Sequence, residues 1–366
     1  MEHRIYKVRF YKMKKSNYLR LLKYVFFKKT KGPVQLIHFV TSKCNAKCEH
    51  CFYWKNLNKN NDLTLKEIEK ITKTLPELYL LMISGGEPFI RKDLVDITYS
   101  YFKNTPMRKV TIPTNGLMTD KIKKDCVNIL ERCPGLELSI GISLDGPKEI
   151  HDKTRGVPGC FESAIKTFFE LKKLRKNKNF KISIVSTLTP INQEKMTEFY
   201  RYVKNELEPD VFSLNLIRGS PKNPDMKKVS LHYFKEILKL ESKELKNAKG
   251  FKNKIRNFIH IIRTQVIIDT IEKKKYVLPC YAALLTGVLS ESGKVYPCEL
   301  LTKPIADIKD FDYNFEKLWE SKSAKDYSKF IINTKCFCTH ECFLRVNILF
   351  NFKFLLKSFL KQLIRI

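Results

Sequence analysis

The sequence predicts an α/β protein, a partial, TIM-like (β/α)6 barrel with a small cysteine-rich unit after it. Three observations carry this. Short apolar, β-branched runs alternate six times with amphipathic helical segments, the pattern of a parallel sheet with crossover helices. The loops between them are mostly short, and six units are too few to close an eight-stranded barrel, so the sheet stays open. Eight of the eleven cysteines fall in two groups, three after the first strand and five in the last quarter of the chain.

Each unit can be read in turn. "QLIHFV" (35–40) is the first strand, and "LTLKEIEKITKTL" the helix after it, opened by Thr64 and Glu67 as a capping box. "YLLMIS" (79–84) precedes "RKDLVDITYSYFKN", and "KVTIP" (109–113) precedes "DKIKKDCVNILERC". "LELSIGISL" (136–144) precedes "FESAIKTFFELKKLRK", and "FKISIVSTL" (180–188) precedes "QEKMTEFYRYVKN". "VFSLNLI" (211–217) is the sixth strand. The expected organisation is a basic N-terminal segment (1–34), the barrel (35–220), a helical bridge (221–279), a cysteine-rich unit (280–343) and a basic amphipathic tail (344–366).

In parallel α/β folds, ligands sit at the carboxyl ends of the strands. Cys44, Cys48 and Cys51, spaced C-x3-C-x2-C, follow the first strand and therefore stand at that end. The second strand ends in Ser84-Gly85-Gly86-Glu87-Pro88. Its glycines allow close backbone approach to a ligand, and its carboxylate suits an ammonium group better than a phosphate. The third strand ends in "PTNG", the fourth in "SLDGP", the sixth in "RGSP". One such segment is an ordinary turn; four at strand ends form a rim. Three cysteines are one short of the four ligands of structural zinc or a fully ligated cluster. Three thiolates on a four-iron cluster leave one iron open. Half of a zinc site, completed by His50 or a distant ligand, is the competing reading.

C-x3-C-x2-C after the first strand, with GGEP after the second, resembles the radical S-adenosylmethionine (SAM) superfamily over residues 35–220. "SLDGPKEIHDKTRG" (143–156) is similar to the subgroup whose barrel is followed by a SPASM or twitch domain with auxiliary clusters. The resemblance implies a 4Fe-4S cluster on Cys44, Cys48 and Cys51 and a SAM-binding segment at Ser84, Gly85, Gly86 and Glu87. It further implies SAM contacts from Ser143 and Arg155 to the carboxylate and ribose, with Asn115 lining the pocket. It implies reductive cleavage of SAM to a deoxyadenosyl radical that abstracts hydrogen from a substrate, and a reducing partner such as flavodoxin or ferredoxin. Arg155 also has a structural reading, as partner of Asp145 or Asp152. The sequence names no catalytic acid or hydrogen donor, and the substrate stays open among lipid-linked, small-molecule and peptide classes. About 34 residues before the first strand are too few for a separate leader-binding domain, which lowers the peptide reading.

After residue 220, "LHYFKEILKLESKELKN" and "KNKIRNFIHIIRTQVIIDTIEKKK" read as two charged helices. Cys280 follows, then "VLSESGKVYPC", a hairpin turning at Ser292–Gly293 and ending in Cys298, then Cys336, Cys338 and Cys342. This resembles a shortened SPASM or twitch domain. Five cysteines suffice for one second 4Fe-4S cluster and not two, with His340 as a further candidate; a zinc knob is the alternative. Cys126, Cys133 and Cys160 lie on or beside predicted helices and read as small buried residues.

The net charge is +31, and residues 1–32 and 344–366 together supply +15 of it. No secretory signal or apolar run of membrane-spanning length is present, so the expected setting is the cytoplasm, with thiols reduced. In the tail, Lys353, Lys357, Lys361 and Arg365 recur every four residues, opposite Leu356, Phe359, Leu360 and Leu363. Such a helix suits the inner face of an anionic membrane; a helix docked on the barrel is the alternative. No stacking motif or zinc-finger spacing supports nucleic acid as a partner.

Overall fold

Six parallel strands, β1 (Gln35–Thr41), β2 (Leu80–Gly85), β3 (Lys109–Thr114), β4 (Glu137–Ser143), β5 (Phe180–Leu188) and β6 (Val211–Leu216), pair strictly in sequence order. The structure is a computed structural model and describes residues 30–76, 78–246, 251–274 and 276–364. The basic N-terminal segment read from the sequence lies almost wholly outside these residues.

Each strand is followed by helix, as the alternation requires. The crossover helices are α1 (Leu65–Thr72), α2 (Leu94–Asn104), α3 (Thr119–Arg132), α4 (Lys148–Arg155) with α5 (Cys160–Lys172), and α6 (Met196–Tyr202). The capping box forms as its sequence demands: the Glu67 backbone N–H donates to the Thr64 hydroxyl, and Glu67 accepts in return from the Thr64 N–H. The core lies between sheet and helices. Leu138, Ile140 and Ile142 of β4 are fully buried, as are Ile122 and Ile129 of α3 and Phe168 and Leu171 of α5. Cys126, Cys133 and Cys160 are buried among them, as small apolar residues.

Beyond the barrel run α7 (Leu231–Lys246) and α8 (Phe251–Lys273), then β7 (Thr286–Leu289) and β8 (Lys294–Tyr296), the hairpin expected from the turn at Ser292–Gly293. A short β9 (Ala306–Asp307), α9 (Phe315–Trp319), α10 (Lys322–Asn333), α11 (Glu341–Leu349) and α12 (Phe352–Ile364) complete the chain. Sequence periodicity does not disclose where the hairpin goes. β7 pairs in parallel with β1, Gln35 against Thr286 and His38 against Leu289, so one nine-stranded sheet runs β6-β5-β4-β3-β2-β1-β7-β8-β9. β1 thus has neighbours on both edges, and all seven of its residues are buried. Among the described residues, no helix is long and apolar enough to cross a membrane.

Candidate active site

The carboxyl ends of the barrel strands surround a cleft of about 230 Å³. Cys44, Cys48 and Cys51 line it on one side. Ser84, Gly85, Gly86 and Glu87 enter from the end of β2, Asn115 from β3, Ser143 from β4 and Arg155 from α4. The structure therefore brings together all ten residues that the sequence assigns to the cluster and to SAM. Val185 and Thr187 of β5, Asn215 of β6 and Arg218 just beyond it also face the cleft, as does His50. These were not singled out in the sequence, apart from His50; their only signal is their place at or near strand ends.

The cysteine loop is fixed by backbone contacts. The Cys44 N–H donates to the Asn58 side chain at 3.0 Å, the Lys47 N–H to the Arg155 carbonyl at 2.9 Å, and the Cys51 N–H to the Cys48 carbonyl at 3.2 Å. The two glycines also have a packing role that the sequence does not show. A Cβ at Gly86 would lie 2.2 Å from the Lys43 carbonyl oxygen and 2.9 Å from Cys44 Cβ. At Gly85, where φ is +139°, it would lie 2.3 Å from the Thr41 carbonyl oxygen. Here the glycines let the end of β2 close directly on the loop that bears the cysteines.

Glu87 is buried and already engaged. Its carboxylate accepts from the Phe89 N–H (3.2 Å), the Thr114 hydroxyl (2.9 Å) and the Asn115 N–H (2.8 Å), which ties the end of β2 to the end of β3. Burial pushes its carboxyl up to about 7 against the pull of these hydrogen bonds. A carboxylate has about four acceptor sites, so one remains for a further donor in the cleft. The Asn115 amide donates to Asn45 at 2.7 Å and so braces the cysteine loop from β3.

Arg155 takes the structural one of its two sequence readings, as the partner of Asp145. Its Nε stands 2.7 Å from a carboxylate oxygen of the fully buried Asp145, and a terminal nitrogen reaches Cys48 Sγ at 3.8 Å. Asp145 is itself held by the Thr187 N–H at 2.8 Å. Despite burial, Arg155 keeps Asp145 below the ordinary carboxylate range. Asp152 is not the partner of Arg155; it accepts from the Gly159 and Phe161 N–H groups at 2.7 and 2.8 Å and shapes the start of α5.

Burial pushes the thiols up, Cys44 to about 12 and Cys51 to about 11, and raises Cys48 as well. Such thiols are inert unless a metal displaces their protons. All three are free, and they face one cleft. Among the described residues, no three His, Cys, Asp or Glu side chains gather around a single-ion position. A cluster places its thiolates on different irons, so its ligands need not converge on one point. The donor set therefore fits a cluster better than one zinc ion. His50 is buried and pushed down to about 4, which makes it a neutral ring beside Cys51.

The second cysteine group brings Cys280, Cys336 and Cys338 together beside Leu278, Phe337 and Leu344. Burial raises Cys298 to about 11 and Cys338 to about 12. Cys280 and Cys336 push Cys298 up further, and Cys280, Cys298 and Cys336 do the same to Cys338, so these four thiols are neighbours. Cys342 meets different groups, hydrogen-bonding with Arg218 and His340. His340 is buried against Glu299, whose carboxylate also stands 3.6 Å from Arg218 Nε. Against burial, Arg218 and His340 hold Glu299 down at about 2. His340 is thus committed to an ion pair.

The family model described as the radical SAM superfamily matches residues 39–203, which supply most of the cleft's lining, including all ten residues named above. Residues 39–203 are a radical SAM domain. A chain with this domain is a radical SAM enzyme with SAM and a 4Fe-4S cluster as cofactors, and a cysteine-rich region follows its barrel. The chain is 27% identical to the AdoMet-dependent heme synthase of Methanosarcina barkeri, over 80% of this chain and 83% of that protein. It is 29% identical to the Fe-coproporphyrin III synthase of the same organism, over 53% of this chain but only 47% of that relative. The structure of native anSMEcpe with bound AdoMet and Cp18Cys peptide superposes with a TM-score of 0.59 at 20% identity, covering 82% of this chain and 84% of that one. That likeness is one of fold.

Proposed function

We propose that this radical SAM enzyme binds its SAM-cleaving cluster at Cys44, Cys48 and Cys51 and abstracts hydrogen from a substrate held beside SAM. The observation that carries the reading is the shared cleft: three free thiols and seven polar or glycine positions from four strand ends and α4 face the same 230 Å³. When bound, the cluster supplies the electron for reductive cleavage of SAM at its sulfonium. The chain's own residues do the rest. The spare acceptor site of Glu87 receives the SAM ammonium, and Ser143 and Arg155 meet the carboxylate and ribose. Arg155 also holds positive charge beside the Cys48 sulfur, favouring the thiolate. Gly85 and Gly86 keep β2 and the cysteine loop in register, and the strand-end rim excludes water from the reacting atoms.

We assign a second 4Fe-4S cluster to Cys280, Cys298, Cys336 and Cys338, because their thiols sense one another, whereas Cys342 is turned to Arg218 and His340. An electron carrier such as flavodoxin or ferredoxin is the reducing partner; a surface of net charge +31 favours an acidic one. Anaerobic reconstitution with iron and sulfide, followed by dithionite and SAM, tests the reading. Deoxyadenosine and methionine should appear; a fully loaded protein that releases neither overturns it.

A second reading concerns place. Phe352, Leu356, Phe359 and Leu360 of α12 are 48–57% exposed, while Phe354 and Leu355 pack inward. With Lys353 and Lys357 beside them, these side chains form a half-exposed apolar stripe with basic neighbours, although Phe359 also meets Phe258 edge-on; this is the pattern of a helix lying in an anionic membrane surface. This supports peripheral attachment at the inner face of a membrane. Arg365, and the side chains of Lys361 and Leu363, which complete the pattern in the sequence, lie outside what the structure describes.

A further inference from the structure

A second cavity, about 440 Å³, adjoins the cleft and is the larger of the two. Phe52 faces both and forms the wall between them. The Arg218 guanidinium lies over the Phe52 ring at 4.9 Å and pairs with Glu299, which faces the second cavity. The floor is aromatic: Phe39 and Tyr53 stack with centroids 4.5 Å apart and ring planes 21° apart. The hairpin end between β7 and β8 closes one side. A volume in this range, with a flat apolar floor, suits a small molecule.

The charges around this cavity decide what kind. Two acids face it: Glu299 is ion-paired with Arg218 and His340, while Glu291 accepts from the Tyr53 hydroxyl and keeps its negative charge. Three lysines also face it, Lys55, Lys59 and Lys294. Among the described residues none of the three has a carboxylate partner. Lys55 lies over Trp54 at 5.4 Å, and all three are exposed at the rim. The cavity therefore offers an apolar floor and, at its mouth, three lysines against one carboxylate, Glu291, that no cation pairs with among the described residues.

We propose that this cavity binds the substrate as an anion, a small molecule with a flat apolar body and one or more carboxylate or phosphate groups held by Lys55, Lys59 and Lys294. Calling the ligand a substrate rests on the radical SAM reading of the neighbouring cleft; the binding of the anion does not. Phe52 then separates the substrate from SAM while keeping them adjacent.

The test uses the reconstituted holoprotein and four fluorescent naphthalenes: 2-naphthoate, 2-naphthyl phosphate, methyl 2-naphthoate and 2-naphthylmethylammonium. Both anions should bind about tenfold more tightly than the neutral ester, the scale of three partly exposed charge contacts, and the cation most weakly. Carboxylate above phosphate, or the reverse, assigns the anionic group. The Lys55→Gln/Lys59→Gln/Lys294→Gln variant should lose that preference for anions while still binding the ester. If that variant misfolds by circular dichroism, each single Lys→Gln change should weaken the anions about two- to threefold. Equal binding of ester and anions, or anion binding untouched by the lysine changes, overturns the proposal. SAM binding to the unmodified protein is measured in parallel. Its absence would overturn the reading of the cleft and leave the anion site standing; its presence without charge discrimination would overturn only this inference.

Discussion

The two cysteine groups differ in what their thiols face. Cys44, Cys48 and Cys51 look into a cleft of about 230 Å³ rimmed by polar strand ends, whereas Cys280, Cys336 and Cys338 line a crevice of about 10 Å³ walled by side chains such as Leu278, Phe337 and Leu344. The first group is one ligand short and open; the second has ligands to spare and is closed. The same contrast separates catalytic from structural zinc sites, where an open coordination position marks the site that does chemistry. On the function proposed above, reaction belongs to the barrel mouth and a supporting role to the hairpin region, although the two share one sheet.

The largest expected effect breaks the comparison outright. Replacing Cys44, Cys48 and Cys51 together by alanine should abolish SAM cleavage and remove one cluster's iron, while iron bound at the second group persists. Iron analysis and deoxyadenosine release read the two separately; full iron in the triple variant would remove the distinction between the groups. Within the second group, Cys338→Ala should lower the iron content and Cys342→Ala should not.

Arg155→Ala should cost about 3–5 kcal/mol of stability, because it leaves the buried Asp145 carboxylate without its counter-charge. Thermal or denaturant unfolding measures this. A small change would mean that Asp145 relies on the Thr187 N–H and not on Arg155. Glu87→Ala should weaken SAM binding by about 1.5–3 kcal/mol, the range for a hydrogen bond to a charged group.

Glu87 also gives the open site a pH signature. Its native carboxyl lies near 7, above the ordinary 4.5, so the protonated form is the one folding favours. Its contribution to stability is complete below 4.5 and is lost as pH rises through 7. A SAM ammonium favours the ionised form, so SAM affinity should rise with pH through this window, by up to about tenfold per unit below the native value. Equilibrium binding between pH 6 and 8 should show the rise, and Glu87→Gln should flatten it. The smallest effect on folding lies at α12. Leu356→Ser/Phe359→Ser/Leu360→Ser should change stability only slightly, within about 0.5 kcal/mol per exposed position, yet reduce co-sedimentation with anionic vesicles at low salt. Unchanged sedimentation would leave the stripe without a membrane role.

Much of this was legible in the sequence because it is local. Six strands announce themselves by β-branched runs, Thr64 and Glu67 by their spacing, and the cleft by cysteines and glycines that must follow strands. What stayed hidden depends on distant residues. β7 is four buried residues, and nothing in "TGVL" says that its partner is β1 rather than a strand of its own unit. Arg218 sits in the strand-end segment "RGSP", but its partners Glu299 and His340 lie 81 and 122 residues further on and become visible only when the chain is folded. Gly86 is legible as a close-approach position, but that it closes on the Lys43 carbonyl is visible only in the fold.

The pairing of β1 with β7 also has a consequence for synthesis. Gln35 meets Thr286 only after some 250 intervening residues have been made. Until then β1, the strand that leads into Cys44, presents one row of unpaired backbone N–H and C=O groups to its surroundings. An open edge of apolar residues invites pairing with another nascent chain. Completion of the cysteine-rich segment is what covers it, so a chain interrupted before residue 286 should aggregate even though all six barrel strands have emerged.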